Sequence, residues 1–169
     1  MGQNVIGIDY DSHNIHVAIY DGESLLLVRQ NLDKITLYAG MIDLAKLITP
    51  YVPRLILIEA PVYVQNPKAT YKLTRVCTVC QLACEYPDFP YQIIPNTQWR
   101  KAAWGKAIMQ KEQVVEKAIE QFGEIITDHH FADAASMALV AWRQINAEQS
   151  GTDNSILGVQ GKKRSILDG

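Results

Sequence analysis

The chain has few cysteines, little excess charge and no long apolar run, and each shortage removes a class of protein. Three cysteines, Cys77, Cys80 and Cys84, sit at helical spacing among Val76, Val79, Leu82 and Ala83. A tetrahedral zinc site would need a fourth ligand from elsewhere. Free cysteines in such company are expected to be buried packing groups, kept reduced as in a cytosolic chain. The longest apolar stretches fall far short of the ~20 residues that cross a bilayer. The N-terminus lacks a basic segment followed by a hydrophobic core, so the chain reads as cytoplasmic, with no membrane partner. Its net charge of −2 argues against nucleic-acid binding by bulk charge and leaves that role to local patches.

What is present fits one soluble α/β domain. With 169 residues, 48% of them hydrophobic and 20% charged, the chain can bury a sizeable core. Periodicity predicts strands over 4–9, 14–20 and 24–30, a helix over 35–48, a strand over 54–59, a helix over 67–85, a strand over 91–95, and helices over 111–122 and 131–147. Asp21-Gly22 turns the second strand into the third. Three hairpin-linked strands followed by strand–helix alternation give an α/β layer fold. Residues 1–147 are read as the domain. Residues 148–169, with Gly151, Gly158, Gly161 and the basic run Lys162-Lys163-Arg164, lose periodicity and are expected to form a flexible tail.

Two strands end in acids. Val5-Ile6-Gly7-Ile8 runs into Asp9, and Leu55-Ile56-Leu57-Ile58 runs into Glu59, just ahead of Pro61. His130 and Asp133 are spaced i, i+3 at the start of an alanine-rich helix, so they share a face and can bind one ion. Asp9, Glu59, His130 and Asp133 are therefore the candidate metal-binding set of a nuclease. Basic residues cluster as Lys68, Lys72 and Arg75 along one helix, and as Arg100, Lys101, Lys106 and Lys111 after the strand at 91–95. Tyr71, Trp99 and Trp104 are interleaved with them. Taken singly, such clusters are solvated faces more often than binding sites.

The order and spacing of these pieces resemble the ribonuclease H-like superfamily, and within it the RuvC-type Holliday junction resolvases, including those of phages. The carriers are Gly7-Ile8-Asp9, Ile58-Glu59, Trp99-Arg100-Lys101 with the stretch Gly105 to Lys111, and His130-Phe131-Ala132-Asp133-Ala134, over about residues 4–145. The resemblance implies a mixed five-stranded sheet flanked by helices. It also implies an endonuclease that resolves four-way junctions by paired nicks and works as a homodimer. Asp9, Glu59 and Asp133 become metal-binding carboxylates, His130 fills a fourth position that the family supplies as His or Asp, and Lys111 meets the scissile phosphate. Tyr63, in the apolar loop Pro61-Val62-Tyr63-Val64, matches a loop that carries an aromatic near the junction centre. Lys68, Lys72, Arg75, Arg100, Lys101 and Lys106 are the DNA-binding candidates. The family usually follows its first Asp with Pro-Gly, whereas Tyr10-Asp11 stands here, and Asp11, Asp128 and His129 are open as further members of the site.

This chemistry explains the residue types. An anionic phosphodiester resists an anionic nucleophile, and two Mg²⁺ ions about 4 Å apart activate a water and stabilise the leaving oxygen. Mg²⁺ takes oxygen ligands and keeps several waters, so three carboxylates and one His suffice, and Mn²⁺ is expected to substitute. A sugar-kinase-like phosphate hairpin also begins with an apolar strand and Gly-Ile-Asp, but that class needs two such domains. A transposase-like or RNA–DNA-hybrid nuclease, and a non-catalytic DNA-binding protein of the same fold, stay open.

Overall fold

A computed structural model describes residues 3–62 and 65–150. The chain runs β1 (Val5–Tyr10), β2 (Asn14–Tyr20), β3 (Leu25–Asn31), α1 (Leu37–Ile48), a 3-10 turn (Thr49–Tyr51), β4 (Leu55–Glu59), α2 (Pro67–Glu85), β5 (Tyr91–Ile94), α3 (Asn96–Trp104), α4 (Lys111–Phe122) and α5 (His129–Gln149). The strands form one mixed sheet in the order β3-β2-β1-β4-β5. β1 and β3 flank β2 antiparallel, while β4 lies parallel to both β1 and β5. This is the mixed five-stranded α/β fold expected from the sequence. Two elements differ. Residues 96–104, left without an element in the sequence reading, form α3, and the last helix starts at His129 and reaches Gln149, so residues 148 and 149 are helix and not tail. The rest of the expected tail, including Lys162 to Arg164, lies outside the described residues, as does Tyr63.

Strand side chains alternate between faces, and that period of two sorts the sheet into two cores. Ile6, Ile8, Ile15, Val17, Ile19, Ile56 and Ile58 pack with Leu44, Ile48, Val76, Val79, Cys77, Cys80 and Cys84 from α1 and α2. Val5, Ala18, Tyr20, Leu55 and Leu57 face α3, α4 and α5. The three cysteines are buried and free, as expected.

α5 is buried continuously from Phe131 to Ala141, which fits a helix covered on several sides. It lies very close to β1, and Gly7 is what permits this. A Cβ built there would sit 2.0 Å from the Ala134 carbonyl oxygen and 2.6 Å from the Ala138 nitrogen. Asp128 caps α5, its carboxylate accepting the Phe131 N–H at 3.0 Å. Gly105, at φ 78°, closes α3 in the left-handed region that glycine occupies at no steric cost. Among the described residues no helix is long and apolar enough to cross a membrane.

Candidate active site

The alternation that sorts the core also builds the site. Asp9 follows Val5 and Gly7 on the α5 face of β1, and Glu59 follows Leu55 and Leu57 on the same face of β4. Both stand at the C-terminal ends of parallel neighbouring strands, so their carboxylates meet beneath the N-terminus of α5. Asp133, in the second turn of α5, completes the group. One carboxylate oxygen from each of Asp9, Glu59 and Asp133 lies within 4.8 Å of the others. His130, one turn earlier on the same helix face, directs Nδ1 at Asp9 Oδ2 at 2.6 Å and places Nε2 3.7 Å from Asp11 Oδ2.

Three acids packed this closely disturb one another. Burial, with the Asp9 charge and a hydrogen bond that Glu59 donates to the Asp9 carboxylate, pushes Glu59 up to about 8. Burial and the Glu59 charge push Asp133 up to about 7, opposed by Arg100. Asp9 is also raised by burial, against the lowering effect of its bond to His130. His130 is raised in turn, chiefly by that same bond.

The surroundings hold each acid. Trp99 is fully buried and donates its indole N–H to Glu59 Oε1 at 3.1 Å, and Tyr10 donates its hydroxyl proton to the Glu59 carbonyl at 3.0 Å. Arg100 turns inward, 3.9 Å from Asp133 Oδ2, and stacks over the Trp99 ring at 5.1 Å. Of the aromatics read as interleaved with surface bases, Trp99 is therefore core, and Trp104 is half-buried with its N–H on Ser136 Oγ at 3.1 Å. Lys111 opens α4 and donates to His129 Nε2 at 3.3 Å, at the rim of the site.

The residues left open by the sequence fall into place. Asp11 accepts the backbone N–H groups of His13 and Asn14 and so shapes the β1–β2 turn, with its second oxygen toward His130. Asp128 is the α5 cap, and it also pairs with Arg29. His129 packs against His130 with centroids 4.0 Å apart and the rings tilted by 35°.

His16 is the residue that sequence reasoning missed. It pairs with Asp9 across the hairpin, is 1% exposed, and stacks on the ring of His130. Burial and the neighbouring His130 charge lower it to about 4, so the ring is neutral. One donor atom each from Asp9, His16 and His130 forms a second group within 4.8 Å.

The basic candidates divide. Lys68 and Lys72 line a groove of about 490 Å³ with Asp11, Ser12 and Asn66, which leads from the β1–β2 turn. Arg75, further along α2, covers the Tyr71 ring at 5.5 Å and faces the α1 groove. Lys101 and Lys106 are exposed at the end of α3 and just beyond it.

No protein-family model and no curated protein matches the chain, but solved structures do. RuvC of Thermus thermophilus in complex with a Holliday junction substrate has a TM-score of 0.70 and 16% identity, over 85% of this chain and 96% of that one. A further Thermus thermophilus RuvC structure has a TM-score of 0.68 and 18% identity, over 88% and 97%. The yeast mitochondrial Holliday junction resolvase has a TM-score of 0.54 and 18% identity, over 90% and 82%. The fold is thus the ribonuclease H-like fold of the RuvC structures.

Proposed function

We propose that this chain is a divalent-cation-dependent endonuclease that resolves four-way DNA junctions by hydrolysing phosphodiesters to give paired nicks. The observation that carries this reading is the convergence of Asp9, Glu59 and Asp133, with His130 bonded to Asp9, at the strand ends of a fold shared with a RuvC bound to a Holliday junction. The donor set fits the cation. Carboxylate oxygens suit Mg²⁺ and Mn²⁺, and three closely packed acids whose protons are held too tightly are relieved by a positive ion among them. Asp9, Glu59, His130 and Asp133 would hold Mg²⁺, two ions in all. Bound there, the ions supply an activated water and charge stabilisation for the leaving oxygen.

The chain's own groups do the remainder. Trp99 fixes the Glu59 carboxylate, and Arg100 offsets the charge of Asp133 from behind. Lys111 stands at the rim as a point charge for the scissile phosphate. Lys68 and Lys72 offer phosphate contacts along the groove beside Asp11, with Arg75, Lys101 and Lys106 further out. Tyr63 is assigned to base stacking at the junction centre. The test is a nicking assay with Mg²⁺ on a four-way junction, a linear duplex and an RNA–DNA hybrid. Preferential paired nicking of the junction is expected; preference for the hybrid would favour another ribonuclease H-like activity, and no cleavage would favour a binding protein.

A junction has two-fold symmetry, which two sites on a dyad would match. A homodimer through the α1–α2 face is supported by exposed Tyr38 and Tyr86 on an apolar groove of about 620 Å³ also lined by Met41, Ile42 and Pro87, and by exposed Leu82 on a neighbouring groove of about 330 Å³. Sedimentation should show twice the 19.0 kDa chain mass at micromolar concentration. A chain that stays monomeric with junction and still makes paired nicks would remove the dimer.

A further inference from the structure

The geometry points to His16 as a positioning residue that fixes the ring of His130, and thereby sets how tightly the site binds a divalent cation. This rests on the cation-dependent reading above. The strand register puts His16 opposite Asp9, on the α5 face and fully enclosed. Its ring lies parallel to that of His130, with an interplanar angle of 7° and centroids 4.6 Å apart, and the edge of Phe131 closes it from the side at 5.2 Å. Arg29 on β3 then locks the arrangement. Its Nε donates to His16 Nε2 at 3.1 Å, its Nη2 bonds Asp128, and its guanidinium lies 5.2 Å over the Phe131 ring. Asp128 is the cap of α5. One arginine therefore ties the imidazole of β2 to the first turn of the helix that carries His130.

One ring nitrogen of His16 lies within 4.8 Å of an Asp9 carboxylate oxygen and a His130 nitrogen, which is ligand-like spacing. The chemistry argues otherwise. In-plane lone pairs of two parallel stacked rings do not converge on one point. In the neutral ring, Nε2 accepts from Arg29, so the proton sits on Nδ1, and a protonated nitrogen does not coordinate. Nδ1 has no hydrogen-bond partner among the described residues. His16 therefore acts through its face. His129 also packs against His130, tilted by 35°, but it is only half-buried, so the enclosed His16 is the rigid neighbour of the ring. A ligand ring held in place loses less freedom on binding an ion, and outer-shell support of this kind is typically worth roughly 10- to 100-fold in metal affinity.

The experiment titrates Mn²⁺ into the full chain without DNA, by calorimetry or paramagnetic resonance, alongside kcat and KM for junction cleavage. His16→Ala should lose about tenfold or more in Mn²⁺ affinity and a similar factor in kcat, with KM for the junction little changed. His16→Phe, which keeps a flat ring without nitrogens, should recover affinity to within about threefold of wild type. Wild-type Mn²⁺ affinity in folded His16→Ala would overturn the proposal, and so would a loss in His16→Phe as deep as in His16→Ala, which would make His16 a ligand. If His16→Ala does not fold, Arg29→Met, which leaves the ring but removes its clamp, carries the test: a several-fold loss of Mn²⁺ affinity supports the proposal and none overturns it. Wild type that binds no Mn²⁺ would overturn the cation-dependent reading itself, and this inference with it.

Discussion

The two faces of the sheet are packed by opposite means. Against α1 and α2 the sheet presents branched aliphatics, met by leucine, isoleucine, valine and cysteine. The other face also carries Val5, Tyr20, Leu55 and Leu57, but where α5 comes closest it presents Gly7, with Ala18, Ala134, Ala135, Ala138 and Ala141 in the same core. Among the described residues, the buried polar or charged side chains are Asp9, His16, Asp133 and Ser136, and all four lie on the α5 side. Bulk on one face fixes the sheet, while smallness on the other lets a helix backbone come near enough for its first two turns to reach acids at the strand ends. Burying those acids is costly unless they are paired or bind an ion. The asymmetry thus marks where function displaced stability.

The strongest way to break the comparison is to add bulk where it is excluded. Gly7→Ala places a methyl against the Ala134 and Ala138 backbone, which no rotamer change can relieve. Overpacking of this kind costs about 1–3 kcal/mol or more, and here α5 must move, carrying His130 and Asp133 away from Asp9. Thermal melting should show a drop of several degrees, with cleavage lost. Cys80→Ala, at the same depth on the other face, should cost only about 1 kcal/mol and leave cleavage unchanged. Equal effects from the two would remove the distinction between the faces.

A second prediction sharpens it through pH. Glu59 stands near 8 in the folded chain against an ordinary 4.5, and Asp133 near 7 against 3.8. Between the ordinary and raised values the folded chain holds protons that the unfolded chain has released. Cation-free stability therefore falls as pH rises from about 4 to 8. Mg²⁺ competes with those protons, so it should raise the melting temperature at pH 8 by about 5–10 °C at a hundredfold excess over its dissociation constant, and hardly at all at pH 5. The same shift at both pH values would place Mg²⁺ elsewhere.

The smallest effect is expected at the rim. Lys111→Ala leaves the acids untouched and removes a charge beside His129. It should slow cleavage by about tenfold while weakening junction binding by less than that, read from single-turnover rates and a binding titration. Equal losses, or none, would make Lys111 an ordinary surface lysine.

Much of this was legible in the chain itself. Asp9 and Glu59 could be placed because each ends an uninterrupted apolar strand, and His130 with Asp133 because their spacing shares a helix face. His16 was hidden because one histidine in an apolar strand carries no signal of its own. Counting outward from the Asp11–Asn14 turn pairs it with Asp9, so the register held the information. Trp99 and Arg100 misled for another reason. In sequence a tryptophan beside arginine and lysine resembles a surface patch, whereas burial of that helix is decided by contacts with β4 and α5. α3 itself is short and starts at Pro95 without a side-chain cap, so it announced no beginning. Asp128 sets the start of α5 as its cap, a role that its place beside His129 and His130 conceals in the sequence.

The most direct test of the central claim, that the acids beneath α5 form a cation-dependent nuclease centre, is the separation of cutting from binding in Asp9→Asn and Glu59→Gln. Each removes a charge and keeps the shape. Cleavage of a four-way junction with Mg²⁺ should fall by about a thousandfold or more, while affinity for the junction stays the same or rises. Junction cleavage at the wild-type rate by either variant would contradict the account.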